Sequence, residues 1–203
     1  MKKIVLLISV VASLAIAKQF DYLYYGGEYD AKKGNPTYTH YVLNVSQVKS
    51  DIASRKKEKF WVDDTLETRK TKDYTRSGYD RGHMVPAEDM HYSQRAMHGS
   101  FSMANVCPQT KELNEVSWRM LETALRDSSL KWNGASIWTG PLYRYKVKTF
   151  KGIEVPSHFF KVACNTKVCH AFVYENIKEQ NKDIEVHRVD VKKLEQETNL
   201  KFK

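Results

Sequence analysis

The sequence predicts an α+β domain, a mainly antiparallel sheet with packed helices. Two observations carry that prediction. Short runs rich in aromatic and β-branched residues recur along the chain, and one longer stretch repeats its apolar residues at three- and four-residue spacing. A length of 203 residues suits one domain with a continuous core. No internal repeat, low-complexity tract or Pro/Gly-rich linker divides it.

The first segment is set apart from the fold. Lys2 and Lys3 precede an apolar run from Ile4 to Ile16, broken only by Ser9 and Ser13, and Ala15-Ile16-Ala17 supplies a small-x-small cleavage pattern. Residues 1–17 are therefore expected to be a signal peptide and 18–203 a single domain. No second apolar run of that length follows, so no membrane span is expected after cleavage. The protein is expected to be exported, to a periplasm or beyond the cell.

Residues 18–36 read as an irregular lead-in, with Gly26-Gly27 and Gly34-Asn35-Pro36 as turn signals. His40 to Val45 is strand-like. Residues 49–78 are dense in Lys and Arg with little periodicity, which fits either a solvated loop or a phosphate-contacting surface. Tyr79 to His83 follows as a loop and Phe101 to Asn105 as a short strand. Pro108 stands where a helix can begin. Leu113, Val116, Ser117, Met120, Leu121, Ala124 and Leu125 then mark an amphipathic helix over 109–127. Ser136 to Thr139 is a further strand, ending at Gly140-Pro141. A last helix over 191–198 follows Asp190, an acceptable N-cap.

The formal charge is +9, and +7 without the leader and its two lysines. Such a balance points to a polyanionic partner, whether nucleic acid, anionic lipid or wall polymer. Of three cysteines, Cys164 and Cys169 bracket a polar turn between the β-rich runs 159–163 and 170–174. Their spacing suits a hairpin disulfide better than a tetrahedral zinc site, and Cys107 is left as a buried thiol.

Tyr79-Asp80-Arg81-Gly82-His83 concentrates chemistry in five residues. Phosphodiester cleavage needs a base for water, charge against the phosphate and help for the departing oxygen. His83 is suited to the first role, because its unperturbed pKa lies near neutrality. Arg81 offers a planar fork for phosphate oxygens, and Asp80 can orient the histidine or support a metal's water shell. Gly82 permits close approach of neighbours. Asn114 presents a hard carboxamide oxygen acceptable to Mg²⁺. Trp118 and Glu122 continue at four-residue steps, the spacing of a polar helix stripe as much as of a site. Eight residues place Asn114 and Glu122 ~12 Å apart along a helix, so Glu122 is expected to act through a metal water rather than as a ligand.

The segment from Tyr79 to Ala87 resembles the DRGH signature of the DNA/RNA non-specific endonucleases, which include mitochondrial endonuclease G. The resemblance continues through Phe101, Asn105, Pro108 and Gln109, then Leu113, Asn114, Trp118, Leu121 and Glu122. Thr139 to Tyr143, Val155 to Ser157 and Phe60 with Asp63-Asp64 are similar to other family landmarks, so roughly residues 40–200 are covered. The resemblance implies a ββα-metal nuclease fold, His83 as general base, Asn114 as sole direct protein ligand and Glu122 as holder of a metal water. It also implies a phosphate contact at Arg81 and supporting roles for Asp80 and Asn105. The family's further arginine before the Phe60-like aromatic falls by strict position on Glu58, which leaves Arg55 and Lys57 as candidates for substrate contact, beside Trp118. Mg²⁺ is the expected cofactor, with Mn²⁺ as a substitute. DNA and RNA are the expected substrates, cut without strong sequence preference to leave 5′-phosphates, and a homodimer is compatible with the family. The competing class is an exported protein that captures DNA without cutting it. Activity is expected to rise with pH through the His83 titration range.

Overall fold

The computed structural model describes residues 17–146, 148–178 and 181–203. All but Ala17 of the expected signal peptide lies outside the described residues. Among those described, no helix is long and apolar enough to cross a membrane.

The expected class holds. The strands β1 (Lys18–Asp21), β2 (Gly26–Asp30) and β3 (Asn35–Leu43) form an antiparallel meander. The lead-in is thus not irregular. Gly26 and Gly27 sit in β2, where a Cβ on Gly26 would crowd the Phe20 carbonyl and one on Gly27 the Tyr38 carbonyl of β3. The turn falls instead at Leu23, in the left-handed region. Asn44 caps a short α1 (Val45–Val48). The basic stretch then runs over the surface through two 3₁₀ turns, Arg55–Lys57 and Thr71–Tyr74, pinned by buried Ala53, Leu66 and Tyr74.

Asp80–His83 is a strand rather than a loop, β4. The helix α2 (Gln94–Ser100) follows. The next strand is Val106–Gln109, β5, which includes Pro108, while Met103–Asn105 is a 3₁₀ turn where a strand was expected. β4 and β5 pair antiparallel, with His83 opposite Val106 and Gly82 opposite Cys107. A Cβ at Gly82 would strike the buried Gln109 side chain and force it to move. The helix begins after Thr110 with a π-helical turn, Leu113–Trp118, and continues as α3 (Arg119–Lys131). β4, β5 and this helix make a ββα unit.

β6 (Ala135–Leu142) and the small pair β7 (Thr149–Phe150) and β8 (Ile153–Glu154) come next. β9 (His158–Cys164) and β10 (Cys169–Glu175) form the expected hairpin, closed by the Cys164–Cys169 disulfide. β11 (Arg188–Val189) and α4 (Val191–Thr198) end the fold, with the Asp190 carboxylate accepting from the Lys193 N–H. Seven of the described strands build the main sheet, of order β1-β2-β3-β6-β9-β10-β11, while β4-β5 and β7-β8 form two separate two-stranded sheets.

Alternation along β6, β9 and β10 sends side chains to two cores. Ile137, Phe159, Ala163, Phe172 and Tyr174 pack with Leu113, Trp118, Leu121 and Leu125 of the ββα side. Trp138, Phe160, Val162, Ala171 and Val173 pack with Leu194 and Phe202 on the other. Burying such side chains contributes about 1.5–3 kcal/mol each. Cys107 is buried and unpaired, as expected.

Candidate active site

The ββα unit opens onto a cleft of about 740 Å³. Its lining includes Arg55, Phe60, Asp80, Arg81, His83, Asn114, Arg119 and Glu122. Five residues singled out in 80–122, and Arg55 from the basic segment, are therefore gathered in one place.

His83 ends β4 with its ring between two aromatic rings, Phe60 and Phe101, each 5.1 Å away by centroid. Its Nε2 is shielded from solvent and has no hydrogen bond. Burial first, then the charges of Arg55 and Arg81, push its pKa down to about 3. The imidazole is thus neutral at ordinary pH and carries a free lone pair. Asn105 fixes the chain just beyond it. That buried carboxamide accepts from the Val85 N–H at 2.8 Å and donates to the Val85 carbonyl at 2.9 Å. Asn105 is accordingly a backbone clamp behind the site and does not face the cleft.

Arg81 lies 5.0 Å from the Phe60 ring and donates to the Thr71 carbonyl at 3.3 Å. Arg55 reaches the cleft, with Glu88 at 3.9 Å. Lys57 is exposed and does not line it. Glu58 turns away to Gln94 and His98. The ambiguity over the upstream basic residue therefore narrows to Arg55 on geometry.

Asn114 donates its Nδ2 to Asp80 Oδ2 at 3.0 Å, which joins the helix to β4. Its Oδ1 is the end left for a ligand. The π turn matters for what shares its face. In a regular α-helix, residues eight apart are rotated by about 80°; a π turn absorbs one residue and cuts that to about 20°. Asn114 and Glu122 thereby address one cleft.

Glu122 is raised to about 7 by burial, which outweighs the opposing charge of Lys161. Lys161 was not found by sequence reasoning. It is 1% exposed, donates to the Met84 carbonyl at 3.1 Å and stands 3.4 Å from Glu122. Its one signal was a lysine inside the apolar run Phe159-Phe160-Lys161-Val162-Ala163. Burial lowers its pKa, against the pull of Glu122. Beside this pair, buried Asp89 accepts from Arg126 at 2.6 Å and from Tyr41. Trp118 is also buried, beneath Lys161 at 5.0 Å and against Phe159 and Tyr174. It braces the floor of the site and is not open to a substrate.

Among the described residues, no group of three or more His, Cys, Asp or Glu is arranged to hold a metal ion. Apart from Glu88 and Glu115, which stand 3.9 Å from Arg55 and Lys111 respectively, the side-chain oxygen donors lining the cleft are the Asn114 carboxamide and the carboxylates of Asp80 and Glu122. Hard, sparse oxygen donors fit an ion of the Mg²⁺ type, which keeps most of its waters, and not a tetrahedral thiolate or imidazole site.

The model of the family described as DNA/RNA non-specific endonuclease matches residues 7–203. "Nuclease 1, mitochondrial" of Schizosaccharomyces pombe is 35% identical over 156 residues, 68% of this chain and 48% of that protein. "Nuclease EXOG, mitochondrial" of Danio rerio is 30% identical over 198 residues, 86% of this chain and 57% of that protein. The chain thus spans about half the length of these curated relatives. The solved structure titled "Crystal structure of the EndoG/EndoGI complex: Mechanism of EndoG inhibition" superposes with a TM-score of 0.84 at 27% identity, covering 91% of this chain and 84% of that one. That match bears out the ββα-metal nuclease fold. The relatives correct one expectation. Mitochondrial nucleases recur among them, in fission yeast, budding yeast and human, so export to a periplasm or the medium does not stand.

Proposed function

Because the chain belongs to the DNA/RNA non-specific endonuclease family, we propose that it hydrolyses phosphodiester bonds of DNA and RNA with little sequence preference. The observation that carries this reading is the convergence of a neutral histidine, a tethered carboxamide and two arginines on one cleft. His83 accepts the proton of the attacking water, its lone pair kept free by burial. Arg81 and Arg55 orient the scissile phosphate through its oxygens, contacts that carry no base information. Asp80 holds the Asn114 amide so that Oδ1 faces the cleft.

Nucleases of this family generally use a divalent metal ion. Asn114 would hold Mg²⁺, with Mn²⁺ as a substitute, and Glu122 would accept from its water. When bound, the ion supplies positive charge against the phosphate. Lys161 keeps Glu122 in place from below. The products are 5′-phosphorylated.

The test is digestion of plasmid and RNA by residues 18–203 with Mg²⁺, beside His83→Ala and an EDTA control. Cutting of both polymers by wild type alone, abolished by EDTA, is expected. DNA retained on a gel but uncut by every sample would replace the nuclease with a binding protein.

A further inference from the structure

We propose that Arg119 forms an additional phosphate subsite at the rim of the cleft, gripping a phosphodiester that flanks the scissile one. The inference rests on the nuclease reading and extends it beyond the reacting phosphate. Arg119 was not among the residues that sequence reasoning selected. It lines the cleft and also the adjoining shallow depression with Met120, Thr123 and Asp127, which puts it at the edge between them.

Its guanidinium differs from the other arginines of the site. Arg55 has Glu88 at 3.9 Å, Arg81 has the Thr71 carbonyl and Arg126 has Asp89. Among the described residues, the exposed Arg119 side chain makes no hydrogen bond or ion pair. The acid one turn earlier, Glu115, stands 3.9 Å from Lys111 instead. A permanently charged fork is therefore held at the cleft without a protein partner.

The π turn sets its direction. Residues five apart on an α-helix diverge by about 140°, but absorbing one residue brings Arg119 within about 40° of Asn114. Arg119 thus shares the helix face of Asn114 and Glu122, while Arg55 and Arg81 approach from the basic segment and β4. A polynucleotide carries a phosphate at every nucleotide. A chain seated with one phosphate against Arg81 offers its neighbour to the helix side, where Arg119 meets it bidentately.

Binding that neutralises one phosphate releases its share of counterions, so each contact is counted by the salt slope of affinity. The His83→Ala protein is to be titrated onto fluorescent duplex and single-stranded oligonucleotides across a series of salt concentrations. Adding Arg119→Ala is expected to flatten the plot of log K against log salt by about 0.9 for duplex and about 0.7 for single strands. Adding Arg119→Lys is expected to keep most of the slope. An unchanged slope with Arg119→Ala overturns the inference. So does equal flattening by Lys167→Ala, an exposed lysine in the β9–β10 turn, since the change would then report net charge alone. No binding by the His83→Ala parent overturns the nuclease reading as well.

Discussion

The two faces of the main sheet are made of the same strands and do different work. On the α4 face, Trp138, Phe160, Val162, Ala171 and Val173 meet Leu194 and Phe202 in an apolar core beside the disulfide. On the α3 face the alternation is interrupted: Lys161 stands between Phe159 and Ala163 on that side, with buried Asp89 and half-buried Glu122 and Arg126 around it. Buried charge adds little net stability even when well paired. The difference teaches that the face bearing the cleft gives up apolar packing for fixed charge, and the opposite face holds the sheet that carries it.

The sharpest way to break this comparison is a pair of truncations. His83→Ala is expected to lower the cleavage rate on the order of 10²–10⁴-fold with little change in urea midpoint. Phe202→Ala is expected to do the reverse, with about 3–5 kcal/mol lost and turnover per folded molecule kept. If Phe202→Ala slows cleavage at full folding, the faces are coupled and the division fails.

Lys161 offers the next test. Lys161→Met leaves Glu122 buried without its cation, at a cost of about 3–5 kcal/mol. Lys161→Met with Glu122→Leu is expected to regain most of that stability while cleavage stays low. A single variant as stable as wild type in urea would show that the pair props nothing.

Smaller effects belong to the other face. Replacing Cys164 and Cys169 by alanine opens a short loop, so about 2 kcal/mol is expected, with activity retained. Thermal unfolding with and without reductant checks it, and a large loss of activity would contradict the assignment of that face to anchoring.

A further test lies in pH. His83 sits near 3 when folded and 6.5 when unfolded, so the unfolded chain binds the extra proton in between. Its contribution to stability is present above 6.5 and lost as pH falls toward 3. Glu122 runs oppositely: its folded value near 7 exceeds the ordinary 4.5, so its contribution is present below 4.5 and lost as pH rises through 7. Urea midpoints should flatten on the acid side in His83→Asn and on the alkaline side in Glu122→Gln. The same burial shifts the expected rise of activity through the His83 titration well below neutrality. A rate that still climbs about pH 6.5 would place another group in control.

Much of the site was legible in the sequence. Asp80, Arg81 and His83 are one strand and Asn114 and Glu122 one helix, but the family resemblance singled them out, since the helical spacing alone fits a polar stripe equally well. The Asp190 cap and the facing cysteines were legible from local spacing. Lys161 was not, since nothing in its neighbours says that β9 passes under α3. Asn105 read as a supporting residue, but its role as a clamp on Val85 depends on a contact across a turn. Gly26-Gly27 read as a turn because glycine marks both turns and crowded strands. Location was misread: the apolar leader suggested export, whereas mitochondrial nucleases recur among the relatives, since an apolar leader pattern says little about destination.

The π turn at Leu113–Trp118 ties the chemistry to chain length by a single residue. A one-codon deletion inside 113–118 would let the helix run on as a regular α-helix, better formed by every local measure. It would leave Asn114 seven residues from Glu122 and still within about 20° of it, whereas a one-codon insertion after Asn114 would rotate Asn114 by about 100° relative to Glu122 and Arg119. Lineages that tolerate insertions in surface loops should therefore show none here, and an insertion scan of the gene would find its sharpest boundary between activity and folding in these six residues.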